Sequence, residues 1–380
     1  MRASRVSNEG GMALAVAIFA LVVIGALVAG TFFAGRLEQQ TGQNTFYVGQ
    51  AAEGAEAALA QTLGGSLSSS TMLDLATNGG STTLGTVSLG GNVYGTPTVT
   101  RLTNSVWLVS ALGERRRPDG TPLAQRQLGQ LIRLNQANIK VKAGLTAIGK
   151  VTVSGNSTVS GFDQTPPQWV DEDCPTPDSV TGVLYNGQLT QQGSAVIKGD
   201  PNRQQDNTLT AGNMLGGGTF AQLKAMATLV LTSDISGLGP VTVGNPPVCN
   251  AAVQNNWGAP TDTSSACFDY FPIIYHNGDL SVSGTGEGQG ILLVEGNLNV
   301  QGRIDFYGPV IVTGGVNIRG TGSDDVKFYG GVMAQDITLD DSKLTGNAMV
   351  NYSSCAIKRA IQGSATPIPL QERSWVQLYN

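Results

Sequence analysis

Histidine occurs once in the 380 residues, cysteine four times, and charged side chains make up only 13% of the chain. With His276 alone there is no histidine pair, and no CxxC spacing joins the cysteines, so the ligand sets of familiar zinc sites are missing. His276, in "IIYHNGDL", follows an apolar stretch and precedes a turn, and no nucleophile or second base is identified beside it. It reads as a turn histidine satisfied by its surroundings. No cofactor motif is present, and the chain is expected not to be an enzyme.

The net charge is −5 and no long single-sign block occurs, so nothing in the composition attracts nucleic acid. The one basic run, "ERRRPDG" from Glu114 to Gly120, lacks aromatic or further basic neighbours. Its Pro118-Asp119-Gly120 sequence has the chemistry of a solvated hairpin turn.

What the chain does have is glycine, 51 of them, with much Ser, Thr and Asn, which points to a turn-dense body built mostly of β-strands, in two or three domains. In front of that body stands "NEGGMALAVAIFALVVIGALVAGTFFAGRLEQQ" (8–40), uncharged from Met12 to Ala34. As a helix at roughly 1.5 Å per residue this apolar run spans about 34 Å, enough to cross a bilayer. Arg2 and Arg5 precede it and only Arg36, beside Glu38, follows closely, so the positive-inside bias puts the N-terminus in the cytoplasm and the body outside. A cleaved secretory signal is the alternative. Its apolar part is normally shorter, roughly 7–15 residues, and "VAG" (28–30) is the best small-x-small site on offer.

Helical periodicity continues past the membrane edge. Phe33, Leu37, Thr41, Val48, Ala52, Ala55, Leu59 and Leu63 recur at helical spacing, "QAAEGAEAALAQTL" is rich in strong helix formers, and Gly64-Gly65 supplies a stop. A single helix over about residues 12–64 follows, apolar all round in its first half and carrying a small-residue stripe in its second.

The leader "SNEGG", the apolar helix opening at Met12 and the later "EQQTGQNTFYVGQAAEGAEAAL" resemble the N-terminal region of type IV pilin-like proteins, most closely the minor, PilX-like group. The resemblance covers about residues 7–65. It implies a leader of residues 1–11 cut by a prepilin peptidase between Gly11 and Met12, and Met12 as a methylated first residue. It further implies residence in inner-membrane lipid before assembly, and bundling of the helix with other pilin subunits in an extracellular filament. The chain departs from the major-pilin pattern at the fifth mature position, where Val16 stands in place of a glutamate. Lacking that anion for a neighbour's buried amine, the chain is better suited to a minor or tip position than to the repeating body of a filament.

Beyond Gly65, "TVSLGG", "TPTVTRL", "SVWLVSALGE" and "AQRQLGQLIRLN" alternate apolar with polar residues between Gly, Pro and Asn turns, as antiparallel strands do. An antiparallel domain packed on the helix is expected over 65–143. The remainder, 144–380, carries a repeat of about 16–22 residues: "GILLVEGNLNVQGRIDFY", "GPVIVTGGVNIRGTGSDDVKFY", "GGVMAQDITLDDSKLT" and "GNAMVNYSSCAI" run consecutively from 290 to 357, with partial copies at 277–284 and 149–161. The fold class expected is α+β and mostly β: a long N-terminal helix, an antiparallel sheet, then a glycine-rich β-solenoid, with a β-sandwich as the alternative. An irregular insertion is expected over about 164–272, with a short helix begun by Thr219 and Gln222 as a capping box.

The cysteines, behind an apparent export signal, are expected to be paired. Of three possible pairings the preferred one is Cys249 with Cys267, closing a short loop, and Cys174 with Cys355, tying the insertion to the repeat. Weak Ca²⁺ candidates are the repeat-turn carboxylates Asp324, Asp325, Asp336, Asp340 and Asp341. Across stacked repeats the same residues could also pair as the carboxylates of a polysaccharide-cleaving site. The expected role is structural: a β body displayed for pilus assembly or adhesion, touching a surface or glycan ligand. The rival is an inner-membrane-anchored envelope protein whose β-solenoid binds or cleaves polysaccharide.

Overall fold

The computed structural model describes residues 10–67, 69–73, 75, 77–103, 105–169, 174, 178–320, 325–334, 341–345, 347–370 and 375–378. The chain is α+β and mostly β, and it divides into two units, 1–67 with 75–133 and 369–380, and 68–74 with 134–368.

In the first unit one helix runs unbroken from Gly10 to Gln61, 52 residues, and passes into a wider turn at Thr62–Ser66, where the paired glycines fall. Its C-terminal third lies on an antiparallel sheet. The main strands are Val93–Arg101, Trp107–Arg116 and Pro122–Asn135, paired in hairpin order. The helix residues that meet the sheet are Ala51, Ala55, Ala58, Leu59 and Thr62, all buried, a stripe turned slightly from the expected one so that the smallest side chains face the strands. Gly95 and Gly113 sit opposite each other in adjacent strands, and Gly54 faces them from the helix. A Cβ on Gly113 would lie 1.8 Å from the Ala51 carbonyl oxygen, and one on Gly95 2.1 Å from that of Gly54. The helix therefore rests on bare backbone.

The hairpin "ERRRPDG" turns as its sequence requires, with the Gly120 N–H donating to the Arg117 carbonyl at 2.9 Å. Two of its three arginines are occupied: Arg115 lies over the Tyr47 ring of the helix, and Arg116 lies over Tyr94 and pairs with the Glu114 carboxylate. Burial pushes the Glu114 carboxyl up, but hydrogen bonds from Arg116 and Gln125 and the Arg116 charge outweigh it and hold the group below its usual range. The last strand, Trp375–Leu378, expected within the 144–380 domain, instead pairs antiparallel with Gly129 and its neighbours in this sheet.

The second unit contains two parallel sheets. Both read the repeat in register. Phe306, Tyr307 and Gly308 pair with Phe328, Tyr329 and Gly330, while Leu280, Leu298 and Val316 form one column and Ile274, Leu292, Val310 and Val332 another. The seven-stranded sheet alternates, with Leu298, Val300, Val316 and Ile318 buried and Asn299 and Asn317 facing outward. The twelve-stranded sheet is covered on both faces, which is why its strands read as continuous apolar runs such as "ILLV" and "PVIV". Ile274, Leu292 and Val310 enter the cluster shared with the seven-stranded sheet; Ile273, Leu293 and Ile311 enter a second cluster under Trp169 and the helix Ser354–Gly363. Between strands, Asp279 accepts from the Asn297 backbone and side chain at 2.8 and 3.1 Å, and Asn297 accepts from the Gly315 N–H at 2.8 Å, so these turns keep the 18-residue offset of the strands from Ile274 to Val310.

The segment 164–272 is less irregular than its sequence suggests. Thr181–Tyr185, Leu189–Gln191 and Val196–Lys198 extend the sheets at one edge, and Leu229–Leu231 and Ile235–Ser236 extend them at the other. The first strands of the unit, Ala143–Ala147 and Lys150–Val153, thus lie in the sheet interior, where the late strands Val326–Ala334 and Asp341–Thr345 return to pair with them. The helix at Phe220–Ala225 carries the expected capping box.

Gly113→Ala should lower the unfolding midpoint of the full chain in micelles, by about 1–3 kcal/mol of stability, because the backbone must move to admit a methyl group. Gly49→Ala, whose Cβ meets nothing within 4 Å on the same helix, should instead be neutral or stabilising by about 0.5–1 kcal/mol. Equal effects at the two positions would show that the helix does not approach the sheet this closely.

Candidate functional site

The N-terminal half of the long helix is uncovered. From Leu14 to Phe46 its large apolar side chains are exposed, Phe32 to 76%. The apolar window has a mean hydropathy of 2.6 and none of it is buried against the rest of the chain. Gly11 and Met12 fall in the first turn of this helix, which begins at Gly10. Length and composition suit either a membrane anchor or a signal sequence. What singles out this helix is continuity: the uncovered apolar half and the half fixed to the sheet by Ala51, Gly54 and Ala55 are one rod.

Of the five acidic candidates, Asp325 pairs with Lys327 at 3.6 Å, and Asp341 opens a strand in register with Lys150. Asp324, Asp336, Asp340 and the Asp341 side chain lie outside the described residues. Among the described residues, no three His, Cys, Asp or Glu side chains gather to hold a metal ion. Several other carboxylates are committed to turns. Asp119, Asp206 and Asp262 each accept from the hydroxyl and the backbone N–H two residues on, at Thr121, Thr208 and Ser264. Those bonds hold all three below the ordinary aspartate range.

His276 is buried, with Nδ1 3.2 Å from the Leu231 carbonyl and Nε2 3.0 Å from that of Asp279. It ties its own strand, Ile273–Asn277, to the neighbouring one at Leu231 and to the turn that follows at Asp279. On the same sheet, the Lys224 ammonium meets the Glu295 carboxylate at 2.6 Å and lies over the Tyr275 ring, whose hydroxyl also donates to Glu295. This pins the short helix Phe220–Ala225 to the strands.

Disulfides join Cys174 to Cys355 and Cys249 to Cys267. The first fastens Cys174 to the start of the helix Ser354–Gly363, and the second braces the loop containing the buried Asn256, which donates to the Val241 and Asn250 carbonyls. Around them lies a feature the sequence reading passed over. Arg359 is surrounded by Trp169, Phe268 and Phe271, its guanidinium carbon 4.5, 4.6 and 5.4 Å from the three ring centres, and Trp169 donates to the Pro260 carbonyl at 2.7 Å. Phe268 and Phe271 share one loop, but Trp169 and Arg359 lie about 90 or more residues from it in the chain, so no local spacing announces the cluster. Together they cover the outer face of the twelve-stranded sheet.

No family model, curated protein or solved structure matches this chain.

Arg359→Ala should destabilise the second unit by about 1–3 kcal/mol, since the guanidinium is largely desolvated among three rings and its stem is packed. The readout is a lower urea midpoint with disulfides intact; Arg359→Lys, a point charge in place of a flat one, should recover only part of it.

Proposed function

We propose that the chain is a structural subunit of a type IV pilus or related secretion-type filament, in a minor or tip position. The observation that carries this reading is the single helix whose uncovered apolar half continues into a half fixed to a sheet. Such a helix suits residence in a membrane first and packing beside other apolar helices afterwards, with the attached body remaining outside. A removable signal gains nothing from being one rod with the fold. Val16, at the position where the resembled family places a glutamate, leaves no anion to offset a neighbour's buried amine and favours a low-copy place in the assembly.

The second unit we read as a β-solenoid. An 18-residue offset recurs in both parallel sheets and in the turns between them and lengthens to 22 from Phe306 to Phe328, so successive repeats stack parallel and in register, as a sandwich of antiparallel strands would not. Displayed outside the membrane, this body would prime assembly or adhere to a surface or glycan. Its disulfides suit an oxidising compartment.

Mass spectrometry of the N-terminus, on protein from membranes and from sheared surface filaments, tests the reading. A chain beginning at methylated Met12 in the sheared fraction is the expected result. An intact leader confined to membranes would overturn it and leave an anchored envelope protein whose β body binds or cleaves polysaccharide.

A further inference from the structure

On the outer face of the twelve-stranded sheet, register places Glu287, Asp305 and Lys327 in three successive parallel strands, so that two carboxylates occupy neighbouring rungs. Parallel strands are about 4.8 Å apart, close for two like charges. Glu287 is held by a hydrogen bond from the Thr261 hydroxyl, on a loop closed by the Ala259 N–H to Cys267 carbonyl bond and by the Cys249–Cys267 disulfide. Lys327 is drawn toward Asp325 at 3.6 Å. Asp305 is left with Oδ1 buried and no hydrogen-bond partner. The next position along the same face is the stacked pair Tyr307 and Tyr329, ring centres 4.9 Å apart.

We propose that Asp305, Glu287 and Thr261 form an acid-strengthened latch closing the loop around 259–267 onto the parallel sheet. With Asp305 uncharged, Glu287 holds Thr261 undisturbed. With Asp305 ionised, its unpartnered oxygen carries charge into a buried place beside a second carboxylate, and the loop opens more often. The charged groups facing Asp305 are Lys327 and Arg303, which favour ionisation, and Glu287 and Asp325, which oppose it; the neighbouring phenols Tyr307 and Tyr329 are themselves raised by burial and by Asp305. Burial is the largest influence and leaves Asp305 above its ordinary value. A folded-state value raised above that of the unfolded chain gives stability that is full below the free-aspartate range, about pH 4, and is lost as pH rises through the raised value.

The test is hydrogen exchange of segment 259–268 in the full-length protein in micelles, from pH 4 to pH 8, corrected for the pH dependence of chemical exchange. In the wild type the opening equilibrium should rise by up to about tenfold and then level off. Asp305→Asn should stay closed across the range, and Glu287→Gln, which removes the opposing charge but keeps an acceptor for Thr261, should reduce the rise only in part, since burial remains. The thermal midpoint of D305N should match wild type near pH 4 and exceed it at pH 8 by roughly 2 °C. A wild-type segment that opens equally at pH 4 and pH 8 overturns the latch without reference to any variant, as does a D305N profile parallel to the wild type.

Discussion

Close approach of backbone to backbone is the constraint on which the rest of this protein depends. In the first unit, the helix can lie on the sheet only because Gly54, Gly95 and Gly113 remove the side chains that would separate them. In the second, Gly290, Gly308 and Gly330 occur where successive strands pass each other, and a Cβ on Gly308 would lie 1.9 Å from the Gly290 carbonyl oxygen. Gly308 and Gly330 also take φ of 138° and 142°, a region that side-chain-bearing residues avoid. The abundance of glycine is thus a requirement of two different packings.

From that constraint follows a division of labour among the remaining residues. Where strands stack in register, apolar residues can be buried on both faces of one sheet, and short-range polar bonds such as Asp279 to Asn297 keep the offset from slipping. The loops are then free to act as covers. Trp169, Phe268, Phe271 and Arg359 seal one face of the twelve-stranded sheet, and the disulfides fasten the covering segments. Asp206, Asp262 and Asp279 are held in turns, each by a hydroxyl or amide donor. The proposed role as a displayed structural body draws on this rigidity: what would be carried outward is a framework held by register, with its adaptable surface in the loops.

The long helix joins that body to its proposed setting by carrying two kinds of surface in one element. Large apolar side chains suit lipid or other apolar helices, whereas alanine and glycine suit contact with a backbone. No break separates the two regions, so force or position imposed on the apolar half would reach the sheet directly.

The sequence by itself determined the local elements. The continuous helix follows from uninterrupted helix formers ending at paired glycines, and the antiparallel strands follow from their period-two alternation. The capping box at Thr219 and Gln222 is likewise a local pattern. The repeat was legible because parallel in-register stacking puts like residues beside like, as with Phe306-Tyr307-Gly308 and Phe328-Tyr329-Gly330. Only the tertiary structure decided the order of the strands: short segments such as Val196–Lys198 and Leu229–Leu231 carry too little periodicity to betray that they edge the sheets. It alone decided that Trp375–Leu378 returns to the first sheet, and that Arg359 is enclosed by Trp169 and by two rings of the loop at 268–271. It also set Asp305 beside Glu287. Contacts between residues far apart in the chain are chosen by the register of whole strands, and a single sequence records that register only where it repeats.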